Sequence, residues 1–338
     1  MKMHIIGSLF IWAMFLALAP GGSLSGRINF AGPSMPPNPS ISTQVQEEPK
    51  QRAILVTGAS SGIGKTTALL LAKNGFYVYA GARKEKDIKA LSAIKNIEGL
   101  RLDVTIPKEI DAAVKTIKSS GRGLFGLINN AGVAVIAPLI EVAEDDLHFQ
   151  LDVNVYGPYR VTKAFASLLI KSKGRVSSTG SLSGSVAWGM GGPYCMSKHA
   201  LEAFTDVLAI EMGRFGVQVS LIEPGNYKSR ITENMRERFD KRGFTSKGSH
   251  YKGTLDRILA EPSSPSKDPE PDDVAAAFLH AMSDKKPKRR YLVVPNQREA
   301  EVTIKAAIRR VVQLNQDHPF SYNRERLIEM LDVAITGK

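Results

Sequence analysis

Three side chains in one stretch of the chain could carry acid–base chemistry on an alcohol or a carbonyl compound: Ser181, Tyr194 and Lys198. Tyr194 and Lys198 are four residues apart, so on a helix they share one face, one turn from each other. A free phenol has a pKa of about 10 and is a poor base at neutral pH, but a nearby ammonium group favours the phenolate. Ser181 precedes a Gly-rich link that would let its hydroxyl fold back beside the phenol. This set predicts a proton donor or acceptor for a substrate oxygen.

A glycine-rich loop earlier in the chain has the form of a phosphate-binding site. It runs from Thr57 to Gly64 as Thr-Gly-Ala-Ser-Ser-Gly-Ile-Gly. The apolar run 53–57 before it is expected to be a buried strand, and 65–73 after it a helix. Glycines let the backbone approach a pyrophosphate, and the helix N-terminus offers free amides and a partial positive charge. The loop therefore predicts a nucleotide site.

Two other motifs overlap the same loop. From Ala59 to Thr66 the chain comes within one residue of the P-loop of NTPases, with Ala where the pattern has Gly. From Gly58 to Gly62 it matches Gly-x-Ser-x-Gly, the nucleophile elbow of hydrolases. An NTPase needs an acidic residue that ends a buried strand, and Asp103 is available. Neither motif explains the Tyr194–Lys198 pair. A hydrolase also needs a late histidine that closes a strand, and none of the three candidates qualifies: His250, His280 and His318.

Strands and helices alternate along the chain from about residue 51. This alternation predicts an α/β fold with a parallel, doubly wound sheet of the Rossmann type, in one domain over 51–338. The polar segment at about 226–271 interrupts it and is predicted to be a helical lid. The predicted strands are 53–57, 76–80, 99–103, 124–129, 175–179, 217–222 and 291–294. The predicted helices are 65–73, 85–95, one from Pro107, 143–171, one carrying Tyr194 to about 214, 272–282, 299–313 and 322–335.

Composition excludes some classes of function. The single cysteine, Cys195, excludes an intramolecular disulfide and a Cys-based zinc site, and no metal site is predicted. The net charge is +12, and the densest basic run is 285–290. Because that run directly precedes the apolar strand 291–294, we interpret it as a solvated turn and expect no nucleic-acid partner.

The N-terminus has the pattern of a targeting segment. Within residues 1–19, fifteen residues without a charge are short for a membrane span and typical of a signal sequence. Ala17 and Ala19 resemble a cleavage site, but Pro20 would hinder cleavage, so a removed signal peptide and an uncleaved anchor both stay open. Residues 20–50 are rich in Pro, Gly and Ser and are predicted to be a flexible linker. We therefore expect export or membrane attachment, with the side of the membrane undetermined.

The spaced motifs together resemble the short-chain dehydrogenase/reductase family, strongly over about 52–230. The separation of 13 residues between Ser181 and Tyr194 is the usual one in that family. Within it, 192–204 and 219–225 look most like the retinol and hydroxysteroid dehydrogenase branch, which often carries an N-terminal hydrophobic anchor. The motifs are Thr57-Gly-x3-Gly62-x-Gly64, Asn129-Asn-Ala-Gly132, Asn154, Ser181, Tyr194-x3-Lys198 and Pro224-Gly225.

The resemblance implies a role for each catalytic residue. Tyr194 would exchange a proton with the substrate oxygen, and Ser181 would polarise the carbonyl group. Lys198 would lower the pKa of Tyr194 and bind the nicotinamide ribose, and Asn154 would hold a water that connects Lys198 to solvent. The predicted cofactor site consists of Thr57, Gly58, Ser60, Ser61, Gly62, Ile63, Gly64, Arg83, Asp103, Val104, Asn130, Ala131, Gly132, Tyr194, Lys198, Pro224, Gly225 and Ser229.

The end of the second strand bears on the choice between NAD(H) and NADP(H). An acidic residue there would bind the adenosine ribose, whereas an arginine pairs with a 2′-phosphate. The chain reads Ala-Gly-Ala from 80 to 82, then Arg83 and Lys84, with no acid before Glu85. We therefore expect NADP(H) rather than NAD(H).

The expected activity is NAD(P)-dependent interconversion of a hydrophobic alcohol and its ketone or aldehyde, such as a retinoid or a steroid. Val186, Trp188 and Met190 are expected to line an apolar pocket, although the lid is more basic than such a substrate requires. Ser229 stands where the family usually has Thr, and it keeps the hydroxyl. The alternatives are a dinucleotide-binding sensor without turnover and a P-loop-like NTPase. The resemblance also implies a homo-oligomer.

Overall fold

The computed structural model describes residues 51–260 and 268–337. Its centre is a seven-stranded sheet in which every pair of neighbouring strands is parallel. The strands are β1 (Ala53–Val56), β2 (Tyr77–Ala82), β3 (Ile97–Arg101), β4 (Gly126–Asn129), β5 (Arg175–Thr179), β6 (Gln218–Pro224) and β7 (Arg290–Val293). Their order is β3-β2-β1-β4-β5-β6-β7, which confirms the predicted doubly wound sheet.

Helices cover both faces of the sheet. The first six are α1 (Gly62–Lys73), α2 (Glu85–Ser92), α3 (Pro107–Ser119), α4 (Glu144–Leu151), α5 (Gly157–Lys171) and α6 (Gly192–Gly213). The others are α7 (Ile231–Arg242), α8 (Lys252–Ala260), α9 (Asp272–Ser283), α10 (Gln297–Leu314) and α11 (Arg324–Thr336). Helices α1 and α9 pack together on one face, and α3 and α5 on the other.

The alternation of side chains along each strand divides the core into two layers. Leu55 and Phe165 belong to the cluster on the α3–α5 face, and Ile54 and Phe278 to the cluster on the α1–α9 face. All four side chains are fully buried. The strands are therefore apolar on both sides, as parallel strands between two helix layers must be.

The predicted long helix over 143–171 is interrupted, and this corrects the sequence prediction. A π-helical turn at Asp152–Tyr156 separates α4 from α5. The cause lies in Pro158, near the start of α5. Proline has no backbone N–H to donate to the carbonyl of Asn154, four residues earlier, so the α-helical hydrogen-bond ladder cannot continue through this point.

The predicted lid contains two helices, α7 and α8. The N-terminal leader over 1–19 and the linker over 20–50 lie outside the described residues. Within the ranges that the structure describes, no helix combines the length and the hydropathy that a bilayer crossing requires.

Candidate active site

The glycine loop has a backbone geometry that larger residues would not accept. Gly58 and Gly62 have φ values of +66° and +50°, in the left-handed region that favours glycine. A Cβ on Gly58 would lie 2.9 Å from Cα of Ala131, and one on Gly64 would overlap the side-chain nitrogen of Asn130 and the carbonyl of Gly58. The loop and the 130–132 turn are therefore packed backbone to backbone.

The loop leads directly into the N-terminus of α1. Ser61 is the N-cap residue, and within the described part of the chain its side chain does not cap the helix. The first amides of α1 therefore remain open toward the neighbouring cavity, where a pyrophosphate would accept their hydrogen bonds. The close glycine contacts and these free amides fit a dinucleotide.

Thr57 holds this region together from behind. Its hydroxyl accepts hydrogen bonds from the backbone N–H groups of Asn130 (2.9 Å) and Ala131 (3.0 Å). The Asn130 side chain in turn donates to the carbonyls of Thr57 and Gly58. Thr57 itself is buried, and its hydroxyl links the glycine loop to the turn at 130–132.

One cavity of about 730 Å³ lies at the carboxyl ends of the strands, where ligands bind in open α/β sheets. Thr57 and Asn154 lie behind its wall and do not line it. Every other predicted site residue lines it: Gly58, Ser60, Ser61, Gly62, Ile63, Gly64, Arg83, Asp103, Val104, Asn130, Ala131, Gly132, Ser181, Tyr194, Lys198, Pro224, Gly225 and Ser229.

Ser181, Tyr194 and Lys198 meet in the middle of this cavity. Tyr194 and Lys198 lie in the first turns of α6, and Ser181 precedes a short 3-10 turn at Leu182–Gly184. The Nζ of Lys198 is 5.5 Å from the centroid of the Tyr194 ring and donates a 2.7 Å hydrogen bond to the carbonyl of Thr179. The Ser181 hydroxyl is a hydrogen-bond neighbour of the phenol.

Burial shifts the proton affinities of these groups. It raises the pKa of Tyr194, and the hydrogen bond with Ser181 opposes that shift. Burial also lowers the pKa of Lys198 to about 8, with the Glu202 carboxylate opposing it. Without a ligand, the phenol is therefore protonated at neutral pH.

Asn154 belongs to a buried polar network that the sequence prediction missed. Its side chain accepts from the N–H of Val133 and donates to the carbonyl of the same residue and to the Ser197 hydroxyl. Gln150 is fully buried and bonds to Val133, Val135 and Ser197. The π-helical turn thus binds the strand-end loop and α6 together. Pro158 was the sequence signal for the π-helical turn.

Arg83 and Asp103 lie just beyond the ends of β2 and β3, where they line the cavity. The guanidinium of Arg83 is 62% exposed and lies 3.9 Å from the Asp103 carboxylate. Asp103 also accepts hydrogen bonds from the N–H and hydroxyl of Thr105. Arg83 is therefore at the cavity and free to reorient toward an added anionic group.

The lid side of the cavity carries large apolar side chains beside polar residues such as Arg230 and Asn234. Of the three residues expected to line the pocket, Trp188 does so, whereas Val186 and Met190 do not. Met190 has a φ of +70°, and its carbonyl binds the N–H of Ala137, so this residue shapes the loop instead. The prediction missed several large apolar lining residues because nothing in their local sequence marks them, among them Ile136, Phe149, Leu182, Met235 and Ile258.

The two competing motifs find no support in this geometry. Lys65, which a P-loop would place against the phosphates, is exposed and does not line the cavity. No histidine from the described residues lines the cavity either, so a hydrolase triad around Ser60 is not assembled.

Known proteins share this organisation. The chain is 33% identical over 245 residues to the uncharacterized oxidoreductase YbbO of Escherichia coli (strain K12), covering 72% of this chain and 86% of the relative. It is 36% identical over 252 residues to retinol dehydrogenase 5 of Mus musculus, covering 70% and 79%. An alcohol dehydrogenase from Thermococcus sibiricus, solved with 5-hydroxy-NADP, has the same fold, with a TM-score of 0.58, 22% identity and coverage of 72% and 96%.

The sequence profile of the short chain dehydrogenase family matches residues 52–240, more than half of the chain. The sequence and the fold of the chain therefore both agree with the resemblance that the motifs indicated. This protein belongs to the short-chain dehydrogenase family.

Proposed function

We propose that this protein is an oxidoreductase that uses NADP(H) to interconvert a hydrophobic alcohol and its ketone or aldehyde. The observation that carries the proposal is the shared cavity: Ser181, Tyr194 and Lys198 line the same space as the glycine loop. A nicotinamide cofactor supplies or accepts the hydride in such chemistry, and the protein provides binding, orientation and proton transfer.

The residues would divide that work as follows. Ser181 binds the substrate oxygen through its hydroxyl, and Tyr194 gives or takes the proton at that oxygen. Lys198 places a cation 5.5 Å from the phenol ring and favours the phenolate when it is charged. These groups stabilise the negative charge that develops on the substrate oxygen. Asn154 fixes the turn beneath them.

Arg83 supports the choice of NADP(H). It lines the cavity at the end of β2, no acidic side chain follows that strand before Glu85, and its guanidinium is exposed enough to pair with a 2′-phosphate. Asp103 competes for the same guanidinium. The proposal therefore requires Arg83 to exchange Asp103 for the phosphate.

The large apolar side chains of the cavity support a hydrophobic substrate. Trp188, Phe149 and Leu182 present large apolar surfaces on the catalytic side, together with Met235 and Ile258 from the lid. Such a pocket gains affinity from burial of apolar surface and excludes water from the reacting carbonyl. A retinoid or steroid alcohol is the proposed class.

The test is a fluorescence titration of the full chain with NADPH and NADH, beside Arg83→Asp, followed by a turnover screen with retinoid and steroid alcohols. We expect tighter binding of NADPH, a shift toward NADH in the variant, and turnover. A protein that binds NADPH but turns over no alcohol or carbonyl compound would favour the dinucleotide-binding sensor. Binding of ATP with magnesium in place of NADPH would favour the NTPase.

We also propose that two copies associate through α5 and α6. An apolar groove of about 500 Å³ runs between these helices, and Val207 and Ile210 beside it are 52% and 68% exposed. Lys163 and Glu211 line the groove, so a two-fold arrangement would pair each lysine with the glutamate of the other copy. Ile210→Asp should convert the dimer to a monomer in analytical ultracentrifugation.

For localisation, we propose that the N-terminal apolar segment directs the protein to a membrane. Its support is the uncharged run of fifteen residues that ends at Ala19. The full chain should sediment with membranes, and Leu16→Arg should release it into the soluble fraction. A soluble full chain of undiminished mass would contradict the proposal.

A further inference from the structure

Two carboxylic acids lie next to each other behind the catalytic residues. Glu202 follows Lys198 by one turn of α6, and its side chain is 16% exposed. Glu223 is the residue before Pro224 in β6 and is 5% exposed. The two carboxyl groups are hydrogen-bond neighbours. Neither group takes part in the chemistry assigned to the site above.

The hydrogen bonds around Glu202 are incomplete if both acids are ionised. Its Oε2 accepts from Nε of Arg290 at 2.9 Å. Its Oε1 is buried and has no donor among the described residues. An ionised Glu223 cannot donate, whereas a protonated Glu223 has an O–H that the neighbouring Glu202 carboxylate can accept. A buried acceptor without a donor is costly, so the geometry favours the protonated form.

The electrostatics favour the same state. Burial raises the pKa of Glu223 to about 8, and the adjacent Glu202 carboxylate contributes to the shift; Arg290 opposes it and Asp206 adds to it. The charged groups around the pair are Lys198 and Asp206 on α6 and Arg289 and Arg290 at β7, where both arginines also bind Asp206. From the segment that follows β5, Gly180 and Gly184 lie against the pair.

Those glycines connect the pair to the catalytic serine. A Cβ on Gly184 would lie 2.5 Å from Oε1 of Glu202, and one on Gly180 would lie 3.2 Å from Cγ of Glu223. Gly180 and Gly184 stand on either side of Ser181. The two acids therefore support the loop of Ser181, the helix of Lys198 and the strand that leads to the cofactor residues Pro224 and Gly225.

We propose that Glu202 and Glu223 share one proton at neutral pH, and that this hydrogen-bonded pair positions Lys198 and the Ser181 loop. Both acids are positioning residues, and their effect on the site rests on the proposed function. When Glu223 releases its proton to solvent, two carboxylates repel each other at this point. The loop loses its support, and additional negative charge lies behind Lys198.

Infrared difference spectra of the full chain between pH 6 and pH 10 test the shared proton directly. We expect the C=O stretch of a protonated carboxyl group to disappear at high pH, with a midpoint near 8. The change should be missing in Glu223→Gln, which keeps a donor but cannot ionise, and kept in Glu144→Gln, a matched change at an exposed glutamate. Glu202→Gln should move the midpoint to lower pH, because the charge that raises the pKa of Glu223 is gone.

Melting curves give a second measurement. Between about pH 4.5 and 8 the folded protein holds a proton at Glu223 that the unfolded chain has released, so wild-type stability falls as pH rises through this window. The melting temperature of Glu223→Gln relative to wild type should therefore rise by several degrees from pH 5.5 to 8.5. If the melting temperatures of wild type and Glu223→Gln change in parallel with pH, the inference is wrong. It is also wrong if the pH-dependent carboxyl band of the infrared spectra persists in Glu223→Gln.

NADPH titrations separate this inference from the proposed function. Wild-type affinity should fall at least threefold more than that of Glu223→Gln between pH 7 and pH 9.5. Equal losses of NADPH affinity in wild type and Glu223→Gln would contradict the positioning role of the two acids. If NADPH binds neither protein at any pH, the proposed function fails, and the infrared measurement still decides whether the proton is shared.

Discussion

The two ends of the cavity are built in different ways. At the nucleotide end the packing is tight: a Cβ on Gly58 would collide with the backbone of Ala131, and one on Gly64 with the Asn130 side chain and the Gly58 carbonyl. At the lid end, α7 has no buried residue. Its Arg238 pairs with Asp146 and lies over the Phe149 ring, and Arg230 pairs with Glu233 along the helix itself. Close steric packing holds the nucleotide end in place, whereas the lid end depends largely on ion pairs, whose strength water reduces.

This difference explains why the cofactor is easier to infer than the substrate. A close backbone approach permits only glycine, and glycines at fixed spacing between a strand and a helix form a motif. The lid contacts could be replaced by other pairs without changing the fold. Under the proposed function, side chains such as Met235 and Ile258, whose positions depend on helix packing, would set the specificity for the substrate.

The largest expected effect is at the point where the two ends meet. Tyr194→Phe removes the phenolic proton and keeps the ring, so we expect turnover to fall by roughly 10²–10⁴-fold. NADPH affinity should change far less than turnover, because the variant keeps the aromatic ring at position 194 and leaves the glycine loop untouched. Steady-state kinetics and NADPH titration on one preparation would check both. Substantial turnover by the variant would assign the proton transfer to another group.

The next prediction tests the steric end. Gly64→Ala places a methyl group into the Asn130 side chain and the Gly58 carbonyl, and the resulting strain should cost about 3 kcal/mol. We expect a loss of roughly 100-fold in NADPH affinity, since the loop must move. Gly213→Ala, at a site with open space around the added methyl group, is the matched control and should leave affinity unchanged. Equal affinities would mean that the loop is more adaptable than its contacts indicate.

Much of the nucleotide end followed from local sequence. The Tyr-x3-Lys spacing on α6 and the strand–loop–helix order depend on residues close together in the chain. The parallel sheet followed from the alternation of apolar strands and helices. The bounds of β3 differ by two residues from the prediction, because Ile97 and Glu98 pair with β2 while Leu102 and Asp103 lie beyond the strand.

The other features depend on contacts between distant segments. The Glu202–Glu223 pair joins α6 to β6, and Ile136 and Ile258 line the same cavity from distant parts of the chain; no local pattern predicts either arrangement. The π-helical turn is an intermediate case. Pro158 was visible in the sequence, but the segment 143–171 was predicted as one helix, and the interruption was missed.

The third prediction concerns the buried cation beside Tyr194. Lys198 has a pKa of about 8 when folded, against 10.5 as the ordinary value, so between these limits the unfolded chain binds more protons. The contribution of Lys198 to stability should therefore rise with pH from 8 to 10.5, by on the order of 2–3 kcal/mol. Urea unfolding of the ligand-free protein would measure this rise. It should be absent in Lys198→Met and present in Lys171→Met, at an exposed lysine; a rise of equal size in Lys198→Met would contradict the assignment.

The smallest expected effect is at the lid. Arg238 binds the Asp146 carboxylate and lies 3.9 Å from the centroid of the Phe149 ring, which lines the cavity. Arg238→Ala removes both contacts, at a cost of about 1 kcal/mol, so KM for the alcohol should rise about fivefold while NADPH affinity stays unchanged. Lys252→Ala, which breaks an exposed pair with Asp256 within α8, should alter neither quantity.

The rise in KM should shrink at high salt, because screening weakens the ion pair in the wild-type protein but cannot affect a pair that the variant lacks. A loss of NADPH affinity in Arg238→Ala would show that the lid also holds the nucleotide, and the separation between the two ends would then be wrong.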